Sequence, residues 1–203
     1  MYEHVCKEGT TRNIMNYINE LMNALENVEI ERNKPDDKFS YEEGMGHLVD
    51  FFIGTKKAGG NLYFIGNGGS AAVACHMTAD FLKNGEMKTR SLYNPSTFSC
   101  FANDYGYEYV FSKQLEAATE KGDILVAISS SGNSQNIINA IEVVKQKGGV
   151  TISLTGFGRT NKARQISDYS IYVPSNEYGI VESIHNLILQ QIVDEIKRKT
   201  YES

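Results

Sequence analysis

Apolar positions recur along this chain with two different periods, and the change between them outlines the fold. Over residues 11–28, Ile14, Ile18, Leu21, Met22 and Leu25 return every three or four positions, the spacing of one helix face. A polar stretch at 31–40 (ERNKPDDKFS) interrupts that pattern with Pro35, and Ser40 stands where a helix N-cap belongs. Residues 41–57 then place Met45, Leu48, Val49, Phe52 and Ile53 on one face, which predicts a second helix. Beyond these, short apolar runs at 61–65 (NLYFI), 97–102 (TFSCFA), 124–128 (ILVAI), 150–154 (VTISL) and 169–173 (YSIYV) each predict a buried strand. Residues 88–92 (KTRSL) suggest a further short one. Helical spacing fills 70–82, 108–120, 134–146 and 181–199. Buried strands alternating with helices predict an α/β fold, a three-layer sandwich around a central parallel sheet of about five strands, plus N-terminal helices. No internal repeat or linker stands out, so residues 1–203 are expected to form one domain.

Composition narrows the class without naming a chemistry. Hydrophobic residues make up 41% and charged residues 22% of the chain, as in a soluble globular domain rather than a disordered one. The 20 Lys and Arg against 25 Asp and Glu leave a formal net charge of −5, which argues against a nucleic-acid partner. No apolar run approaches the roughly 18 residues of a membrane span. The first residues, MYEHVCKEGT, lack the basic and apolar pattern of a secretory signal. Cys6, Cys75 and Cys100 are scattered without CxxC spacing, as suits reduced thiols, so a cytoplasmic protein with no membrane partner is expected.

Two strand-to-helix loops carry the candidate chemistry. GNGGSAA (66–72) follows the run NLYFI, and SSSGNS (129–134) follows ILVAI, each directly ahead of a predicted helix. In parallel α/β sheets, ligands bind beyond the carboxyl ends of the strands. Backbone amides at a helix start together with serine hydroxyls make an anion site. A glycine-rich turn with a serine cap is also ordinary punctuation, and the first loop alone reads either way. Neither loop is a P-loop, since no Lys follows the glycines, and neither is a G-x-G-x-x-G dinucleotide turn. The four serines of the second loop exceed what capping requires.

The two loops together resemble the sugar isomerase (SIS) domain, a flavodoxin-like fold. NDYGYEYVFSKQLEA (103–117), GGVTISLTG (148–156) and VPS (173–175) ahead of a long final helix are similar to its phosphoheptose isomerase branch. That resemblance, which runs from about residue 40 onward, implies an aldose–ketose isomerase converting sedoheptulose 7-phosphate to D-glycero-D-manno-heptose 7-phosphate in bacterial heptose synthesis. It implies that Ser129, Ser131 and Ser134, with the Ser130 backbone, hold the phosphate. Asn67, Gly68 and Ser70 would contact the sugar, and Asn103 and Asp104 would meet it from a neighbouring loop, often in another subunit. It further implies a homotetramer with shared sites, in which residues 1–57 serve as a helical assembly segment.

The same family binds zinc through a His and a Glu four positions apart on one helix and a Gln and a His eight apart on the last. Those positions read His76, Asp80, Glu182 and Gln190 here, so only His76 is identical. A nitrogen-and-oxygen set of this kind suits a divalent metal, zinc or a harder ion. A second scheme needs no metal: Glu182 abstracts the proton, and His185 opens the ring or shuttles to the oxygen. Each residue also has a plainer reading. His76 reads as a packed core histidine, Asp80 as a solvated helix residue, Glu182 with His185 as a surface ion pair, and Gln190 as a helix former. Cys75 reads as packing. Catalytic roles thus fall on Glu182, with Asp80 or His185 beside it. Two other functions stay open: isomerisation of a different sugar phosphate, and a non-catalytic scaffold of the replication-initiator-associating type that binds a phosphosugar or a protein.

Overall fold

The computed structural model describes residues 14–32 and 38–201. The expectations for residues 11–13, Pro35 and Cys6 lie outside the described residues. Helix α1 (Ile14–Glu26) is followed by two short strands, β1 (Glu29–Arg32) and β2 (Lys38–Phe39), and by α2 (Tyr41–Ala58). Ser40 caps α2 as expected: its hydroxyl accepts from the Glu43 amide, and the Glu43 carboxylate accepts from the Ser40 amide at 3.0 Å. Strand β3 (Asn61–Ile65), α3 (Gly69–Lys83), β4 (Lys88–Arg90), α4 (Pro95–Tyr105) and α5 (Ser112–Ala118) come next. The chain then runs through β5 (Ile124–Ser129), α6 (Gln135–Gln146), β6 (Val150–Thr155), α7 (Lys162–Ile166), β7 (Tyr169–Tyr172) and α8 (Tyr178–Tyr201).

The strands form one sheet in the order β2-β1-β7-β6-β5-β3-β4. The five from β3 to β7 are mutually parallel, as the sequence predicts, and β1 and β2 close one edge antiparallel. Successive side chains in a strand point to opposite faces, and here both faces are covered. Leu62, Phe64, Val126 and Leu154 pack with α1, α2, α3 and α8, whereas Tyr63, Ile65, Leu125 and Ala127 pack with α4, α5, α6 and α7. Double coverage is why these strands read as continuous apolar runs. No helix among the described residues is long and apolar enough to cross a membrane.

Two sequence expectations are corrected. Residues 97–102 are not a strand but lie inside α4. Asn94 accepts from the amides of Ser96 and Thr97, both at 3.1 Å, and Pro95 opens the helix, so the start signal outweighs the apolar run. Residues 108–120 are not one helix: a 3-10 turn at Tyr107–Tyr109 precedes α5.

The polar stretch after α1 also hides strand β1. Ile30 is buried on one side of it, while Glu29 and Glu31 on the other meet Arg164 of α7 at 2.7 and 2.8 Å. Arg164 is itself buried and lies over the Tyr172 ring, 4.5 Å from its centre. Burial alone would raise the Glu31 carboxyl, but the hydrogen bond and charge of Arg164 outweigh it and hold the group below its usual range.

On the opposite face, His185 of α8 has no exposed surface, and its Nε2 faces the Thr155 carbonyl at 3.2 Å. Burial lowers its pKa to about 4 against a lesser opposing effect of that hydrogen bond, so the ring is neutral at physiological pH. It forms no surface ion pair with Glu182.

Both sites give a pH-dependent stability. A carboxyl with a lowered folded pKa stabilises above its unfolded value of about 4.3, and this is lost as the pH falls through the folded value. In urea unfolding, Glu31→Gln should be less stable than the parent at pH 7, with the gap closing as the pH falls through the lowered folded value. Removing the cation, as in Arg164→Met, should cost about 2 kcal/mol at pH 7, because Glu29 and Glu31 lose their buried partner and are left with the more exposed Arg159 and Lys38. The histidine is depressed from its ordinary value of 6.5 to about 4, so folding disfavours its protonation. Stability should fall as the pH drops from 6.5 to about 4, by as much as roughly 3 kcal/mol, and His185→Gln should flatten that slope.

Candidate active site

Strands β3 and β5 are parallel neighbours, with Ile65 opposite Ala127, so the loops that leave them open at the same end of the sheet. From there α3 crosses one face toward β4 and α6 crosses the other toward β6. The order of strands reverses at this point, and a crevice opens where α/β folds bind ligands.

The second loop is braced from below and from one side. Ser129 accepts the Gly132 amide on its carbonyl at 3.0 Å and on its hydroxyl at 3.2 Å. Gly132 has φ 63°, and a Cβ there would overlap the Asn161 side chain, so glycine is required. The Ser130 carbonyl accepts from Gly156 at 2.9 Å, and the Gly132 carbonyl accepts from Ala163 at 2.8 Å. Ser131 accepts the Asn133 amide, leaving its own proton to donate. Ser134 is the N-cap of α6 but does not spend its side chain on capping. The start of α6 thus keeps a hydroxyl and its first helix amides as neutral donors suited to an anion. The Ser130 hydroxyl is buried without a hydrogen-bond partner among the described residues.

The first loop is tied to the second. Asn67 and Asn136 form a reciprocal amide pair, with each Nδ2 donating to the other's Oδ1, at 3.0 and 2.9 Å. The Tyr107 hydroxyl donates to Asn67 Oδ1 at 2.9 Å. Tyr93 holds the Gly66 peptide on both sides, accepting its N–H at 2.7 Å and donating to its C=O at 2.8 Å. Gly68 and Gly69 are exposed, and Ser70 is buried at the start of α3. Helix α8 lays Glu182 over this turn: a Cβ on Gly69 would overlap the Glu182 carboxylate. Asn136, Tyr93 and Tyr107 have no role in the sequence reading. The spacing of Asn136 two residues beyond the serine loop is the only signal that points to it.

Other expected residues do not join this group within one chain. Asn103 and Asp104 sit in the last turn of α4, exposed, with Asn103 donating to Asp104 at 2.9 Å and Cys100 near the same carboxylate at 3.5 Å. His76 is exposed on α3 and not a core histidine. Asp80, about 16 Å along α3 from Gly69, accepts from the Asn84 side chain. Gln190 lies roughly 12 Å along α8 from Glu182. Its amide faces Asp194 at 3.5 Å in a groove of about 470 Å³ shared with Leu25 and Tyr41. Cys75, read as packing, is exposed. Among the described residues no three His, Cys, Asp or Glu side chains gather as metal ligands. Among the described residues, His76, Asp80 and Glu182 of the expected set are therefore not gathered into one ligand group within a single chain.

Comparison with known proteins identifies the family. The family model for the SIS domain matches residues 16–156. The phosphoheptose isomerase of Rhodospirillum rubrum is 41% identical over 136 residues, 64% of this chain and 71% of its own. That of Fusobacterium nucleatum is 37% identical over 156 residues, 74% of this chain and 78% of its own. Among solved structures, the phosphoheptose isomerase of Neisseria gonorrhoeae superposes with a TM-score of 0.77 at 29% identity, covering 90% of this chain and 97% of that one. The Francisella tularensis enzyme shares the fold with a TM-score of 0.80 at 24% identity, over 94% and 99% of the two chains. The chain belongs to the SIS domain family, in the branch of the phosphoheptose isomerases.

Proposed function

We propose that the protein isomerises sedoheptulose 7-phosphate to D-glycero-D-manno-heptose 7-phosphate. The observation that carries this reading is Glu182 lying over Gly69, beside a serine loop built for an anion and at the same crevice. In it, Ser129, Ser131 and Ser134 and the start of α6 hold the phosphate by hydroxyls and amides. The sugar chain extends toward Asn67, Gly68 and Ser70. Glu182 takes the proton from C1 of the ketose, and the electron pair of that bond forms the double bond of the enediolate as the C2 oxygen gains negative charge. Returning the proton to C2, with the C1 hydroxyl proton passing to the C2 oxygen, gives the aldose. The amides at the start of α3 face the place where that charge develops. No step is routed through a metal ion.

Relatives named phosphoheptose isomerase support this activity over a different sugar phosphate or a non-catalytic scaffold. With the purified protein, NMR should show the ketose phosphate converted to the aldose. Glu182→Gln should lower turnover by at least about a hundredfold, with an unchanged unfolding midpoint. Full turnover in that variant would remove Glu182 from the reaction, and a parent active only on another ketose phosphate would overturn the substrate.

The homotetramer implied by the family resemblance has support in α1. Tyr17, Leu21 and Leu25 pack inward, while Ile14, Met15, Ile18 and Met22 expose an apolar face. Asn103 and Asp104, exposed on α4, would then serve a neighbour's crevice. Sedimentation should find tetramers that Ile18→Glu with Met22→Glu dissociates; a monomeric parent at micromolar concentration would refute this assembly.

A further inference from the structure

Asn136 occupies the second position of α6, directly after the serine loop, and is buried. An Asn in the first turn of a helix ordinarily satisfies its amide on nearby backbone or in water. This one instead spends both halves of its amide on Asn67, 69 positions away in sequence and on the other loop. Asn67 is half-buried, and its Oδ1 accepts from both Asn136 and Tyr107, which uses its two lone pairs. Of its two amide protons one goes to Asn136. A single N–H remains to meet a ligand, and turning the side chain to present its oxygen instead would break every one of these bonds.

We propose that Asn136 is a positioning residue for the sugar. It locks the one free Asn67 N–H toward the crevice and sets the distance between the loop that holds the phosphate and the loop that meets the carbon chain. The assignment rests on the phosphosugar reading of the site. The Asn136 side chain acts through Asn67 and touches no substrate itself. The phosphate is held by serine hydroxyls and by backbone amides at the start of α6, none of which the Asn136 side chain supplies, so phosphate affinity and sugar affinity respond differently to loss of that side chain.

The test is calorimetric binding of sedoheptulose 7-phosphate and of inorganic phosphate, with turnover measured alongside, on the parent, Asn136→Ala, Asn67→Ala and the double variant. Asn136→Ala should weaken the phosphosugar about tenfold, the worth of one hydrogen bond, and leave inorganic phosphate within about twofold. The double variant should lose no more than about tenfold, because the two residues act as one unit. Tyr107→Phe, an exposed change that removes a single hydroxyl, should show the same split with a smaller loss, and it decides the matter if Asn136→Ala fails to fold.

Equal losses for phosphate and phosphosugar would mean that the serine loop has collapsed and would overturn the assignment. So would losses that multiply in the double variant. A parent that binds the phosphosugar no better than phosphate has no sugar contact to orient, and the assignment falls. A parent that binds the phosphosugar better yet does not turn it over refutes the isomerase reading alone, since the ratio of affinities still reports on Asn136.

Discussion

The parallel pairing of β3 with β5 is the constraint on which the site depends. Adjacent strands lie about 4.8 Å apart, so two loops that are 63 positions apart at their starts, Gly66 and Ser129, emerge side by side. Because α3 and α6 then leave toward opposite faces, neither helix covers the gap between the loops. In the proposed reading the serine loop supplies donors for an anion and the glycine loop room for a chain of carbons, and α8 returns late in the sequence to place the Glu182 carboxylate against Gly69. None of the three has its function without the other two, and the strand register brings them together.

The parts most legible in the sequence are those with one dominant physical cause. NLYFI and ILVAI read as strands because both their faces are buried, and the loops after them read as sites because glycines and serines crowd where a parallel sheet opens. EIER was missed as a strand because its acidic face is balanced by Arg164, a partner 133 positions from Glu31 that no local pattern reveals. TFSCFA misled for the reverse reason: its apolar content suits a strand, but the Asn94–Pro95 start signal commits it to a helix. The plainer readings of two histidines, a core His76 and a surface-paired His185, are both overturned: His76 is exposed and His185 buried. Helical spacing tells which residues share a face, but not which neighbour covers that face.

The net charge of −5 gains meaning from the site. A negative chain offers no long-range attraction to a phosphate, so recognition falls to short-range donors: hydroxyls, amides and a helix start. Such donors act within hydrogen-bond distance and depend on geometry more than on ionic strength. That places a premium on bracing, which is visible in the Tyr93 grip on Gly66 and in the Asn67–Asn136 pair.

The edges of the sheet carry a different consequence. One edge is β2, two residues long and bearing Lys38; the other is β4, three residues long and bearing Lys88 and Arg90. Lys88 reaches the Gly59 carbonyl and Arg90 the Asn61 side chain, both at 3.1 Å. Short, cationic borders give an incoming strand little backbone to pair with and a like charge to overcome. The hydrophobic ladder inside the sheet is therefore sealed at both ends against runaway strand addition, the route by which such ladders template fibrils.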